Sequence, residues 1–272
     1  MLYLIPTPIG NIADISVSAL RLLESCDEIL CEDTRIAKKL IALLNERHLL
    51  QKSHFIFTSF HSHNEDFRIS QLGSDFLDKN VAFLSDAGTP CISDPGAKLI
   101  AFCKSNGIKY TAISGACSVT MAFSLSGFEG GFSFLGFIPH KLQDKKVFLQ
   151  KMLDSALHCI CFESPKRLLE SLSLLVGFAP KREIFIAKEL TKKYEKFYFG
   201  SVEEVASQLQ SQNLNGEWVI ITKATQTPTT NATLDKLDIQ NLEIPPKIKA
   251  KILAKLENKS IKECYDEILQ GK

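Results

Sequence analysis

The 272-residue chain has neither a GxGxxG dinucleotide fingerprint nor a GxxxxGK[ST] phosphate loop. A Rossmann oxidoreductase or a P-loop ATPase is therefore not expected. No apolar run approaches the roughly 20 residues of a membrane span. The opening Met1-Leu2-Tyr3-Leu4-Ile5-Pro6 has no basic leader and no small-residue cleavage site, so the expectation is a cytoplasmic protein without a membrane partner. Net charge is almost absent: 32 Lys and Arg against 31 Asp and Glu leave +1. Any nucleic-acid surface must then be built from local basic clusters, not from a global field. The eight cysteines form no CxxC pair and no zinc-ribbon spacing, and they read as reduced packing residues. Cys159 and Cys161 flank Ile160 in an apolar run, which puts both on one side of a strand.

What the chain does have is alternation. Leu2–Pro6, Glu28–Cys31, Phe55–Ser59, Val81–Ser85 and Lys109–Ile113 read as strands, with helical patterns over Val17–Ser25, Arg35–Glu46, Glu65–Asp78 and Pro95–Ser105. Asp94 as N-cap and Pro95 at the first helical position mark the start of the last of these. The second half continues with strands over Phe132–Phe137, Cys159–Glu163, Ile184–Lys188 and Trp218–Thr222. Ser164-Pro165 is expected to open a helix by the same logic, and Ser201-Val202-Glu203-Glu204 has the spacing of a capping box. The expected fold is α/β: two α/β lobes with mostly parallel sheets, residues 1–113 and 114–224. Thr, Gln, Asn and Pro then dominate a linker over 225–244. Residues 245–272 read as a helical hairpin with Ile248, Ile252 and Leu256 on one face and a capping box at Ser260–Glu263. Its lysines, Lys247, Lys249, Lys251, Lys255, Lys259 and Lys262, fit either a solvated face or an RNA contact.

Three loops follow strands in the first half: Pro6–Asn11, Cys31–Arg35 and Ser85–Gly96. Ligands of open parallel sheets bind beyond the carboxyl ends of strands, where such loops gather. Their glycines allow close backbone approach, and helix starts offer free amides, although Gly and Pro also serve as plain turn formers.

Pro6-Thr7-Pro8-Ile9-Gly10-Asn11, Cys31-Glu32-Asp33-Thr34-Arg35, Ser85-Asp86-Ala87-Gly88-Thr89-Pro90 with Ile92-Ser93-Asp94-Pro95-Gly96, Phe162-Glu163-Ser164-Pro165-Lys166-Arg167-Leu168 and Lys188-Glu189-Leu190-Thr191-Lys192 resemble, in order, the signature blocks of the ribosomal RNA small subunit methyltransferase I family. That family lies in the wider tetrapyrrole-methylase-like group of S-adenosylmethionine (SAM)-dependent enzymes. The resemblance spans residues 2 to about 222. It implies SAM in a cleft between two lobes, a homodimer, no metal, and 2′-O-methylation of a decoding-site cytidine of 16S rRNA in the assembled small subunit. Carried over block by block, it implies that Pro8, Gly10, Asp86, Ala87, Gly88, Pro90, Ile92, Ser93, Gly115, Phe162, Glu163 and Ala187 line SAM, with Gly216-Glu217 as later cofactor-side positions. One block departs: where relatives usually have Pro-Gly-Pro-Ser-Ala, this chain reads Ser114-Gly115-Ala116-Cys117-Ser118. The glycine keeps the turn, and no hydrogen bond is assigned to Cys117 or Ser118.

Transfer to a ribose hydroxyl calls for a base, and Glu32, Asp33, Glu65 and Glu189 are the candidates, with Lys192 or Lys188 if burial depresses an ammonium pKa. Arg35, His61, Lys166, Arg167, Lys192 and Lys193, with the tract Lys141, Lys145 and Lys146, form a candidate basic rim for phosphates, each equally readable as surface charge. Phe60 or Phe162 could stack a base, and His61-Ser62-His63-Asn64-Glu65 lacks a third cluster of metal ligands. Two alternatives stay open. One is a tetrapyrrole carbon methyltransferase, against which the Cys31–Arg35, His61–Glu65 and Lys188–Lys192 blocks speak. The other is a non-catalytic RNA-binding assembly protein, against which the intact Asp86–Pro90 loop speaks.

Overall fold

The computed structural model describes residues 1–72, 79–225, 239, 242, 244–257 and 259–269. The chain divides into two compact units, Met1–Thr225 and Gln226–Lys272.

The first unit carries two five-stranded sheets. One comprises β1 (Leu2–Leu4), β2 (Glu28–Cys31), β3 (Ile56–Ser59), β4 (Val81–Leu84) and β5 (Tyr110–Ala112) in the order β3-β2-β4-β1-β5. Every pairing in it is parallel. Its interior strands are near-continuous apolar runs: Val81-Ala82-Phe83-Leu84 is buried throughout because helices cover both faces. Those helices are α1 (Val17–Ser25), α2 (Thr34–Glu46), α3 (Glu65–Ser70) and α4 (Ala97–Ser105). Ser16 caps α1 by accepting from the Ala19 N–H, and Asp33 caps α2 by accepting from the Arg35 N–H. The helical pattern read over Glu65–Asp78 is helical to Ser70, and residues 73–78 lie outside the described residues.

The second sheet comprises β6 (Phe132–Phe137), β7 (His158–Glu163), β8 (Glu183–Lys188), β9 (Lys196–Ser201) and β10 (Trp218–Thr222) in the order β6-β7-β10-β8-β9. Here the parallel character is confined to β6 and β7, and the pairings among β7, β10, β8 and β9 are antiparallel. The edge strand β9 has no counterpart among the strands read from sequence; its Phe197 and Phe199 are about half exposed, with Phe185 and Phe128 as their ring partners. The helices α5 (Ser118–Ser126), α6 (Leu142–Leu153), α7 (Leu168–Phe178) and α8 (Val202–Leu209) belong to this half. Cys159 and Cys161 do point into one core cluster, while Ile160 points into the other. The capping box at Ser201 and Glu204 forms as read.

Two helix starts differ from the sequence reading. Helix α4 begins at Ala97, not Pro95: Gly96 sits at φ 128°, outside helical space, and Asp94 caps nothing. A β-carbon on Gly96 would run into the Phe83 ring and the Cys91 Sγ, so the loop folds tightly onto β4 before the helix starts. Helix α7 begins at Leu168, not at Ser164-Pro165. Residues 165–167 form a turn closed by the Arg167 N–H donating to the Ser164 carbonyl (3.1 Å), and the Ser164 hydroxyl accepts from Arg167 Nε (3.0 Å).

The second unit holds α9 (Pro246–Glu257) and α10 (Ile261–Leu269), which pack against each other. The expected capping box at Ser260 and Glu263 is present. The apolar face is not the one expected, however. Ile248 and Leu256 are exposed, and Ala250, Leu253 and Ala254 close on Cys264 and Ile239. Alanines at i and i+4 let two short helices approach closely, which bulkier isoleucines would prevent. Lys259 is engaged by Glu257 and Glu267 (2.8 and 2.9 Å). Most of the linker read over 225–244 lies outside the described residues.

Candidate active site

The loops leaving β1 and β4 are tied to each other first. Thr7 and Gly88 exchange backbone hydrogen bonds of 2.9 and 3.0 Å, an isolated bridge beyond the strand ends. Gly88 adopts φ 85°, a conformation that disfavours a side chain. The Thr89 hydroxyl donates to the Ala116 carbonyl (2.9 Å), and Gly115 lies against the Pro6 ring, leaving no room for a β-carbon. The altered Ser114–Ser118 block is thus held against Pro6 and Thr89.

The two sheets meet through the Pro8–Gly10 turn and the segment after β8. Gly10 leaves space that Lys192 Cγ and Thr191 Oγ1 occupy, and the Asn11 N–H donates to Thr191 Oγ1 (3.0 Å). Glu189 (φ 53°) and Thr191 (φ 62°) both sit in the left-handed region. Such strain persists only where surroundings over-determine it, and Glu189 shows how. Its carboxylate accepts from the Glu217 N–H (2.9 Å) and from Lys192 Nζ (3.0 Å), its own N–H donates to the Glu217 carbonyl (2.9 Å), and Gly216 packs against its side chain. Lys192 also reaches Glu217 (2.9 Å). This latch turns Leu190 inward, where it packs with Ile9, Val119 and Val219.

Between these segments lies a cleft of about 550 Å³, within the usual range for a small-molecule site. Of the residues expected from sequence, Glu32, Asp86, Ala87, Gly88, Ile92, Ser93, Phe162 and Glu163 line it. Pro8, Gly10, Pro90, Gly115 and Ala187 do not. Gly10 and Gly115 shape its walls from behind, and Ala187 is buried in the cluster around Leu190. Glu163 has both carboxylate oxygens taken: it accepts from Ser164 N (2.7 Å), from Arg167 (2.7 Å) and from the Ser171 hydroxyl (2.6 Å). Gly216 and Glu217, also expected from sequence, line it as well, and Asp94, Leu190 and Trp218 are among its further wall residues. Asp94 escaped the sequence reading because Asp-Pro before a helical pattern signals a cap.

Among the candidate bases, the structure brings only Glu32 into the cleft. Asp33 caps α2 and is paired with Arg35 (2.5 Å), whose hydrogen bonds pull its pKa down to about 2. Glu65 is buried and paired with Lys98 (3.1 Å). Although burial pushes the other way, hydrogen bonds from Glu217 and Lys192 hold Glu189 below its ordinary value. Lys192 is raised, not depressed, as the Glu217 and Glu189 carboxylates outweigh its burial. Glu32 moves upward, through burial first and then through Asp86. Asp86, which accepts from the Asp33 N–H (3.1 Å), is also raised by burial. Asp94 is raised furthest, to about 6, by burial and by Glu32 and Asp86, with the Ser85 hydroxyl opposing.

The basic rim is partly redrawn. Arg35, Lys166 and Lys193 are exposed and His61 is half-buried. Arg167 is turned inward onto Glu163, Ser164 and the Ile138 carbonyl (3.0 Å), so its guanidinium serves the interior. Lys145 is fully buried against Glu170 (2.7 Å) and leaves the Lys141–Lys146 tract. Phe60 is core. Among the described residues no helix is long and apolar enough to cross a membrane.

The family described as Tetrapyrrole (Corrin/Porphyrin) Methylases matches residues 1–206. The chain is 39% identical to the ribosomal RNA small subunit methyltransferase I of Helicobacter pylori strain J99, covering 97% of this chain and 96% of that protein. It is 41% identical to the protein of the same name from Campylobacter fetus subsp. fetus strain 82-40, covering 99% and 100%. A solved uroporphyrin-III-C-methyltransferase from Thermus thermophilus superposes with a TM-score of 0.56 at 16% identity, over 82% of this chain and 93% of that one, a likeness of fold. The chain belongs to the tetrapyrrole (corrin/porphyrin) methylase family and, within it, to the ribosomal RNA small subunit methyltransferase I proteins.

Proposed function

We propose that the chain transfers the methyl group of SAM to the ribose 2′-hydroxyl of a decoding-site cytidine in 16S rRNA, within the assembled small subunit and as a homodimer. As a member of this family it is a SAM-dependent methyltransferase acting on small-subunit rRNA. The observation that carries the finer reading is identity of 39 to 41% over nearly the whole length of two proteins of that name. The lobes meant are residues 1–113 and 114–224, one around each sheet, with the cleft between them.

The cleft suits SAM chemically. Its first-sheet wall presents the carboxylates of Glu32 and Asp86, complementary to a molecule carrying a sulfonium and an ammonium, and Ile9, Val119, Leu190 and Phe162 offer apolar surface for an adenine. Ala87, Gly88, Ile92, Ser93 and Phe162 would hold it. When bound, SAM supplies an electrophilic methyl group on a cationic sulfur. The chain's own part is positioning and proton handling. Rigid loops hold the two reactants at near-attack distance, worth about 7–11 kcal/mol, and a cleft carboxylate orients the hydroxyl and takes up its proton. Arg35, His61, Lys166 and Lys193 flank the cleft loops and would hold phosphates by charge.

The test is labelled SAM with small subunits from cells lacking the gene, naked rRNA in parallel, and mapping of ribose methylation. One new 2′-O-methyl mark in the decoding region, on subunits and not on naked RNA, is expected. SAM binding without RNA label would sink the ribosomal reading and favour a tetrapyrrole carbon substrate.

A further inference from the structure

Seven carboxylates lie in or near the cleft, and their partners sort them. Glu163 is held by Arg167, Ser171 and the Ser164 N–H; Glu189 and Glu217 share Lys192; Asp33 holds Arg35; Asp86 accepts the Asp33 N–H. Glu32 and Asp94 remain, lining the cleft with no ion pair among the described residues. They differ in how they are mounted. Glu32 follows β2 directly, with His61 near enough to favour its charged form. Asp94 sits on the Ser85–Gly96 loop, which is pinned at both ends. At one end the Ser85 hydroxyl donates to the Gly88 carbonyl (2.9 Å) and Gly88 bonds Thr7; at the other Gly96 is pressed on Phe83 and on Cys91, itself at φ 66°. A loop pinned this way holds a carboxylate where positioned proton transfer needs it.

Resting on the methyltransferase reading of this cleft, we propose that Asp94 is the general base. Its carboxylate accepts the proton of the attacking hydroxyl as the oxygen–carbon bond forms and the carbon–sulfur bond breaks, the bonding pair returning to sulfur as a neutral thioether. Its surroundings suit the task. Glu32 and Asp86 face it from the ends of β2 and β4, the Ser85 hydroxyl opposes them, the Cys91 thiol between Asp94 and Glu65 lies on its own loop, Glu65 is paired with Lys98, and among the described residues no cation pairs with Asp94. Burial and the two neighbouring acids bring it to about 6, close to a working pH, where a base is both ionised and basic.

The experiment compares wild type with Asp94→Asn and Asp94→Glu on small subunits in single turnover from pH 5 to 8.5, beside SAM calorimetry and a carboxyl-carbon NMR titration of aspartate-labelled protein without RNA. Asp94→Asn should bind SAM within about threefold of wild type, transfer methyl about 10²–10⁴-fold more slowly, and lose the rise in rate through pH 6. Asp94→Glu, which keeps a carboxylate, should recover part of the rate. The titration should show one aspartate near pH 6 that Asp94→Asn removes. Loss of SAM binding in Asp94→Asn would make Asp94 a cofactor ligand instead, and an unchanged rate and pH profile would overturn the proposal outright. Wild type inactive on subunits would fail the functional reading alone. The titration still decides Asp94 in that case, because an ordinary aspartate pKa there overturns the assignment.

Discussion

The two sheets contribute acids to the same cleft under opposite conditions. On the second-sheet side, Glu163, Glu189 and Glu217 each have a cation: Arg167 for the first, Lys192 for the other two. On the first-sheet side, Glu32, Asp86 and Asp94 form no ion pair among the described residues, and burial raises all three above their ordinary values despite His61, the Asp33 N–H and the Ser85 hydroxyl beside them. Compensated acids build architecture, since a carboxylate with its charge and hydrogen bonds satisfied fixes a turn and offers little basicity. Uncompensated acids in a cleft attract a cationic ligand and can accept a proton, at a cost in stability. The topology matches this division. A parallel sheet gathers its loops at one edge, where side chains converge on a ligand. The antiparallel β8 and β10 are instead locked to each other by the Glu189–Glu217 contacts.

Breaking the compensated half should give the largest effect. The Glu163 side chain is fully buried and its Arg167 partner nearly so. Arg167→Met would leave a buried carboxylate without its cation, a loss of about 3–5 kcal/mol, read as a lower urea midpoint at unchanged slope. A loss below about 1 kcal/mol would erase the distinction between the two walls.

How much of this was legible in the sequence depends on the kind of signal. β2 and α1 have the ends read for them, because an apolar run or an amphipathic period bounded by caps is a local property. The loops around Gly10, Glu32 and Asp86 could be found from glycine and acid placement after strands. Three things could not. Strand direction in the second sheet depends on pairing partners, which leave no local trace. The starts of α4 and α7 were misplaced because Asp-Pro and Ser-Pro also open turns; Gly96 at φ 128° and the Arg167 side chain decide the matter through tertiary contacts. And whether an acid is paired is a three-dimensional fact: Glu163 and Asp94 both line the cleft, yet Glu163 is neutralised by Arg167 and Asp94 has no ion pair among the described residues.

Next in size is the seam between the sheets. Gly10→Ala would push the Pro8–Gly10 turn off Thr191 and Lys192, an overpacking cost of about 1–3 kcal/mol. SAM binding should weaken along with thermal stability, because Ile9 and Leu190 line the cleft on either side of that seam. Unchanged affinity by calorimetry would mean that the latch supports the fold and not the site. Lys192→Met should cost less than about 1 kcal/mol, since the pairs it breaks are partly solvated.

The smallest effect has a sign that separates the two walls. Asp94 is raised from 3.8 to about 6, so the folded state binds its proton more tightly than the unfolded chain does. Above pH 6 the ionised group therefore opposes folding. That penalty fades as pH falls from 6 toward 4, where both states are protonated. Asp94→Asn removes it, and the variant should be more stable than wild type at pH 7.5, by on the order of 1 kcal/mol once solvent screening of a half-buried group is allowed for. The gain should disappear at pH 4. Glu189→Gln must do the reverse. Its carboxylate is held below its ordinary value, so it contributes stability above the unfolded pKa that is lost as pH falls through the folded one. The variant should be less stable than wild type at pH 7.5 and converge with it in acid. Thermal melts of both variants at pH 4 and 7.5 measure the two signs together. If both substitutions destabilise at neutral pH, Asp94 has a partner like its counterparts across the cleft, and the acids of the two walls are alike.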